Sequence, residues 1–343
     1  MSDCPLEPVH TEAGAVFTEM LGHSVPLRFG DPETEANRAR SGAGLVDLAH
    51  VGTASLEGPD ARRFSNGMFT NNIRNLSVGS GNRSAMCDDR GRVQGLLDVH
   101  CTDTERFDIV LEGVTAEWFE ERYGLYIVFD DVELNVSDAD PRVISLQGPS
   151  SESVLRDAGF PVPAEGNLLA TDGPIRVAAK DRSGLGGYDI VVPLAQLLDR
   201  WNALIAAGAA VIGFEALEIL RIRAGRPRWP VDGSKSTLVH ELGINEEVCN
   251  FNKGCYLGQE VINRIDVKGL IQKRVTRVVL PPAKGSIGDT VHLDGKTVGT
   301  ISSLTRGTED SVALVFLRKA AWDAEHVAVE TAEGSVDARV HRD

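Results

Sequence analysis

A short pattern occurs twice in this chain: SLEGPD at residues 55–60 returns as SLQGPS at residues 145–150. In each copy apolar and β-branched residues lead into Gly-Pro, and a helix-like stretch follows. Gly-Pro alone is a common strand-to-helix turn, because proline is preorganised for the first helical turn. The shared Ser-Leu and the matched context go further and imply two related strand, turn, helix units, hence two α+β lobes. Gly58-Pro59-Asp60 opens a helix that carries Ala61, Phe64 and Met68 on one face.

The remaining elements fit around these two units. Residues 12–22 and 33–42 read as short helices, and GLVDLAHVGTASLEG as strands. SAMC and VQGLLDVHC flank Asp88-Asp89-Arg90-Gly91 as a hairpin whose second strand continues to RFDIVLEG. EWFEERYG at 117–124 reads as a helix, and LYIVF and VELNV as strands. Residues 174–192 give two strands joined by a Gly-rich bend, and LAQLLDRWNALIAAG is amphipathic, with Leu194, Leu197, Leu198, Trp201 and Leu204 on one face. Phe214 to Ala224 forms another helix, closed by Gly225 and Pro227. Several strand pairs are hairpins, so α+β fits better than a doubly wound parallel sheet. From Arg274 onward short strand-like runs alternate with turn signals, Asp294-Gly295 above all, which reads as a separate β-barrel or sandwich of about seventy residues. The expected division is 1–272 for the two lobes, with the second lobe at roughly 51–139, and 273–343 for the barrel.

Charge and cysteine usage exclude several function classes. With 343 residues and 42% hydrophobic content, two or three domains can each bury a core. Lys plus Arg number 35 against 50 Asp plus Glu, a net charge of −15, which argues against a nucleic-acid or anionic-membrane surface and for solubility. No run of 18 apolar residues occurs and the first ten residues lack a basic then apolar pattern, so a soluble, cytoplasmic protein is expected. The five cysteines, Cys4, Cys87, Cys101, Cys249 and Cys255, form an odd set without a CxxC pair. That suits reduced thiols and offers no cysteine-ligated metal site.

Two stretches carry chemistry. KGCYLGQE at 253–260 gathers Lys253, Gly254, Cys255, Tyr256, Gly258, Gln259 and Glu260, a mixture unlike a core segment. Glycines on both sides of Cys255 give the backbone freedom, and Lys253 nearby would favour the thiolate; the alternative is a tight turn with an inert cysteine. Arg221, Arg223, Arg226 and Arg228 fall within eight residues at a helix end. The helix dipole accounts for one or two of them, and a local anion site for four.

The octet, followed by Val261, Arg264, Lys268, Gly269 and Arg274, resembles the signature of the YgfZ family. Those are folate-binding proteins related to the glycine-cleavage T-protein, an aminomethyltransferase, and implicated in building or maintaining iron–sulfur enzymes. Weaker resemblance to the T-protein superfamily runs from GLVDLAHVG at 44–52 to the final strands. It implies a cloverleaf of two α+β lobes and a C-terminal barrel around a pocket for tetrahydrofolate or another reduced folate.

Under this resemblance Cys255 and Lys253 are the candidate reactive pair. Arg221, Arg223, Tyr188, Met86 and Asp98 are candidate folate contacts, with the arginines taking the glutamate tail and Tyr188 either stacking on the pterin or packing. T-proteins place an Asp-Asp pair where this chain has Gly95 and Leu96 in GRVQGLLDV. Asp98 shares the strand face of Leu96 but is displaced by about 6.6 Å, too far to replace a group that must sit within hydrogen-bond reach. At Arg223 T-proteins usually carry a glutamate that contacts the pterin. The resemblance therefore implies a folate-binding accessory protein for iron–sulfur assembly or repair, with assembly proteins or client enzymes as partners. The alternative is an active aminomethyltransferase or demethylase.

Overall fold

The two Gly-Pro turns adopt one conformation. In the computed structural model, which describes residues 4–269 and 271–341, Gly58 has φ 133° and Gly148 has φ 131°. A Cβ at Gly58 would overlap the carbonyl of Asp131, and one at Gly148 those of Ala39 and Gly42, so both positions require glycine for conformation and for space. Each turn links a sheet strand, Thr53–Glu57 or Arg142–Gln147, to a helix, Ala61–Met68 or Ser151–Asp157.

The first of these strands lies in a five-stranded sheet that also holds Ser80–Cys87, Val93–Asp103, Arg106–Glu112 and Glu133–Ser137. The second lies in a six-stranded sheet beside Gly187–Val192 and Gly44–Asp47. The helix Leu194–Ala206 covers the outer face of that sheet with Leu197, Trp201 and Leu204, all buried. Each such side chain contributes about 1.5–3 kcal/mol of apolar burial. On the inner face Val46, Val143 and Val191 meet Val110 of the five-stranded sheet and Phe214 and Leu217 of the helix Phe214–Arg223. That helix is the wedge between the lobes.

The remaining strands, from Lys273–Leu280 to Gly334–Val340, close a six-stranded barrel. Asp294 (φ 51°) and Gly295 (φ 74°) make the expected two-residue hairpin turn. The architecture is thus two α+β lobes and a β-barrel about a central cleft. Among the described residues no helix is long and apolar enough to cross a membrane.

Two stretches differ from expectation. Residues 12–22 form no helix: a helix runs over Leu6–Glu12, and Val16–Met20 pairs antiparallel with His23–Arg28. Leu21 (φ 49°) and Gly22 (φ 81°) turn that hairpin, and the strand partner lies beyond the window in which helical periodicity is read. LYIVF is no strand either: Gly124–Tyr126 is a single 3-10 turn, and Phe129 is 95% exposed. The sheet edge it would need, along Thr53–Glu57, is occupied by Glu133–Ser137.

Candidate functional site

The cleft is two joined chambers of about 340 and 400 Å³ that share Arg83, Lys180, Asp181, Arg226 and Glu247. Their partition is a buried ion network. Lys180 Nζ lies 2.6 Å from Asp98 Oδ2 and 3.1 Å from Glu112 Oε1. Arg182 joins Glu112 at 2.8 Å and Asp189 at 2.5 Å, while Arg83 joins Glu112 at 3.0 Å and Glu247 at 2.8 Å. Burial pushes the Glu112 carboxyl up, but Lys180, Arg182 and Arg83 outweigh it and hold the group well below its ordinary range. Asp98, Glu112 and Asp189 converge closely enough to suggest cation binding. Lys180 and Arg182 already neutralise that cluster, so it supports no metal site.

The 340 Å³ chamber is floored by His50 and Phe214, whose rings meet edge to face at 5.2 Å. Burial first, then Arg182 and Arg228, draw the His50 imidazole down to about 3, so it is neutral at ordinary pH. Its Nδ1 is buried and has no hydrogen-bond partner among the described residues. Arg228 lies over the Phe214 ring at 5.1 Å and pairs with Glu218 at 2.9 Å. In the second chamber His100, also buried, has an unpartnered Nδ1 and is drawn down by burial to about 4. A neutral imidazole offers one donor and one acceptor, which suits a planar heterocycle with both kinds of edge.

The four arginines do not form one open anion site. Arg221 is 4% exposed and fully engaged: Glu218 takes Nε and Nη2 at 2.7 and 2.6 Å, Asp232 takes Nη1 at 2.8 Å, and Ser303 of the barrel lies 2.8 Å from Nη2. Arg223, on the opposite side of the helix, faces a different groove and pairs with Asp310 of the barrel at 3.1 Å. Both were expected to hold a folate tail; Arg221 lines the cleft but its guanidinium is taken up by Glu218, Asp232 and Ser303, and Arg223 faces away to Asp310. Arg226 lines both chambers; its side chain is 36% exposed, more than that of Arg228 at 28% or Arg83 at 21%, and it pairs with Asp181 at 2.7 Å.

Two further expected contacts lie elsewhere. Met86 is fully buried in the core of the five-stranded lobe, opposite Gly95, where a Cβ would overlap the Met86 methyl. Strand alternation turns it away from the cleft. Tyr188 packs on the outer face of the six-stranded sheet, its hydroxyl 3.4 Å from Glu152, while its neighbour Asp189 faces inward to Arg182. Asp98 does lie in the cleft, bound to Lys180.

The octet is a brace beside the cleft. Lys253 is 9% exposed and donates to the carbonyls of Phe69 and Asn71 at 2.7 and 2.6 Å, with its ammonium 5.0 Å from the Tyr256 ring. It does not bond to Cys255, which is exposed. Burial draws the Lys253 amine down to about 7, with Cys249 opposing. Tyr256 is buried among Leu96, Trp229 and Ile262, and burial raises its hydroxyl. Gly258 (φ 83°) abuts the Asp88–Gly91 turn, where a Cβ would meet the Gly91 Cα at 2.9 Å. No such constraint applies to Gly254, whose Cβ would meet open space. Gln259 and Glu260 open the helix Gln259–Lys268 at the surface. Through Asn71, which lines the second chamber, the brace reaches the cleft wall.

His50 and His100 carry no sequence signal, since a lone histidine in an apolar stretch usually belongs to the core. Lys180 and Arg182 do: they are charges at a bend between two apolar strands.

A family profile described as GCVT N-terminal domain matches residues 6–253. The chain belongs to this family. It is 28% identical to the aminomethyltransferase of Streptomyces avermitilis, over 97% of this chain and 92% of that protein. The aminomethyltransferase of Listeria monocytogenes is 25% identical over 91% and 89%. The crystal structure of glycine cleavage system aminomethyltransferase T from Bartonella henselae superposes with a TM-score of 0.86, covering 98% of this chain and 96% of that one at 21% identity, which fixes the fold.

Proposed function

We propose that this chain binds a reduced folate in the cleft between the lobes and does not carry out aminomethyl transfer of the T-protein kind. The carrying observation is at the hairpin. Gly95 packs under Met86, Leu96 packs with Trp229 and Tyr256, and neither position carries a carboxylate. Asp98, one strand repeat further on, is engaged by Lys180. The donor set fits a folate. The rings of His50 and His100 line the two chambers, Phe214 gives an apolar floor, and Arg226 a cation for the tail carboxylates. A reduced folate, when bound, supplies nitrogen atoms that accept or hold a one-carbon unit. The protein's own residues bind and orient it, and the Glu112 network fixes the wall against which it lies.

The biological setting of this reading is cytoplasmic support of iron–sulfur enzymes, with assembly proteins or client enzymes as partners. It rests on the resemblance of residues 253–260 to the YgfZ signature. The names of the relatives favour a second reading, an active aminomethyltransferase. Calorimetric titration with tetrahydrofolate, paired with an aminomethyl-transfer assay using a lipoyl carrier, separates the two. Binding without turnover is expected. Turnover at the rate of a T-protein would establish the second reading, and no binding would remove both.

A further inference from the structure

The barrel wall carries a separate cavity of about 420 Å³, which shares no lining residue with either chamber of the cleft. The strands Lys273–Leu280 and Ser311–Arg318 pair antiparallel and place Lys273 directly opposite Arg318. Past Arg318 the chain enters the 3-10 turn Lys319–Ala321, and Lys319 N donates to Gln272 O at 2.9 Å, which holds Lys319 beside the same strand end. Lys273, Arg318 and Lys319 all line the cavity, together with Gln272, Ala320 and Glu241 of the short helix Val239–Leu242.

Like charges directly opposite on an antiparallel pair repel, where opposite charges would attract. Yet no carboxylate pairs with any of the three cations among the described residues, in a chain with 50 acidic residues against 35 basic. Lys273 Nζ lies 4.8 Å from the Phe316 ring and Lys319 Nζ 5.9 Å from the Trp322 ring, contacts that orient a cation and leave its charge in place. Glu241 does not balance them. It is 7% exposed and accepts from Leu238 N at 3.0 Å, and burial raises its carboxyl pKa against that bond and the charge of Lys273. Three cations against at most one carboxylate leave an excess of two or more positive charges, on a protein whose net charge is −15. That excess matches a dianion. A phosphate group takes a guanidinium bidentately and ammonium groups as point charges, and the cavity has room for a small organic portion as well.

We propose that this cavity binds a phosphate group, free or carried on a small molecule, between Lys273, Arg318 and Lys319. The test is calorimetric titration of the full chain, in low-salt buffer free of phosphate, with inorganic phosphate, pyrophosphate and glycerol phosphate, beside glycerol alone. At least one of the three anions binds with unit stoichiometry, glycerol does not, and the affinity falls as sodium chloride is added. Tighter binding of glycerol phosphate than of inorganic phosphate assigns the site to an ester, and the reverse order to the free ion. Arg318→Gln and Lys319→Gln each weaken binding roughly fivefold or more. Arg38→Gln, which removes one exposed charge from the helix Pro32–Ser41, leaves it unchanged. In the absence of phosphate Arg318→Gln also relieves the repulsion from Lys273, so its urea midpoint is no lower than that of the wild type. The proposal is overturned if none of the three anions binds at millimolar concentration, or if a folded Arg318→Gln or Lys319→Gln variant binds like the wild type. It is equally overturned if Arg38→Gln weakens binding as much as they do, or if Arg318→Gln lowers the phosphate-free midpoint, which would show its charge satisfied within the protein.

Discussion

Lys253 donates to the main-chain carbonyl of Phe69 at 2.7 Å, and this bond, repeated to Asn71 at 2.6 Å, ties the octet to the lobe that walls the cleft. The neighbouring chain is sutured to the same lobe: Leu257 N donates to Gly67 O at 3.0 Å, and Asn250 N to Thr70 O at 3.1 Å. The most conspicuous cation of the sequence motif is therefore a structural fastener, and its thiol neighbour stands apart from it.

Replacing that fastener should cost stability and leave the thiol unchanged. Lys253→Met leaves two carbonyls without their donor, at roughly 1–3 kcal/mol for each that stays dry. Urea unfolding should show the loss. The alkylation rate of Cys255 near neutral pH should match the wild type, and a slower rate would show that the ammonium reaches the thiol after all.

The arginines separate into two classes. Arg221→Ala removes one member of a buried charged network joining helix and barrel and should destabilise by about 3–5 kcal/mol. Arg226→Ala should fold normally and weaken tetrahydrofolate about tenfold, because its head reaches the cleft from a half-exposed position. Arg223→Ala should leave that affinity unchanged. Equal losses in Arg223→Ala and Arg226→Ala by calorimetry would contradict the division.

Gly95 is held by space. Gly95→Ala drives a Cβ into the Met86 methyl and should cost roughly 1–3 kcal/mol, as overpacking does. In a Met86→Ala background the same change should cost far less, which a double-mutant cycle in urea reads directly. Additive effects would mean that the two side chains do not meet.

Acid should unfold the protein through its buried imidazoles. Burial lowers His50 from 6.5 to about 3 and His100 to about 4. Below 6.5 the unfolded chain takes up protons on these rings and the folded chain does not, so their stabilising contribution is complete above that pH and is lost as pH falls toward 4. Urea midpoints should drop between about pH 7 and about pH 5, and His50→Asn should flatten part of that slope. A slope identical in the variant would place the titration elsewhere.

Much of the fold was already legible along the chain. The repeated Ser-Leu-x-Gly-Pro needed only local chemistry to be read, because Gly58 and Gly148 meet conformational and steric demands that no other residue satisfies. Asp294-Gly295 announced its hairpin for the same reason, and the lack of a carboxylate at Gly95-Leu96 is visible as letters alone. The tertiary structure decided which way each side chain faces and what it meets there. Arg221 and Arg223 look like one cluster in sequence, yet residues two apart on a helix point to opposite sides, and their partners Asp232, Ser303 and Asp310 come from distant parts of the chain. Met86 and Tyr188 turn to core and outer face by strand alternation, whose phase is set by pairing with Gly95 and Leu146. Lys253 lies two residues from Cys255, but its ammonium turns to two carbonyls of a loop some 180 residues earlier.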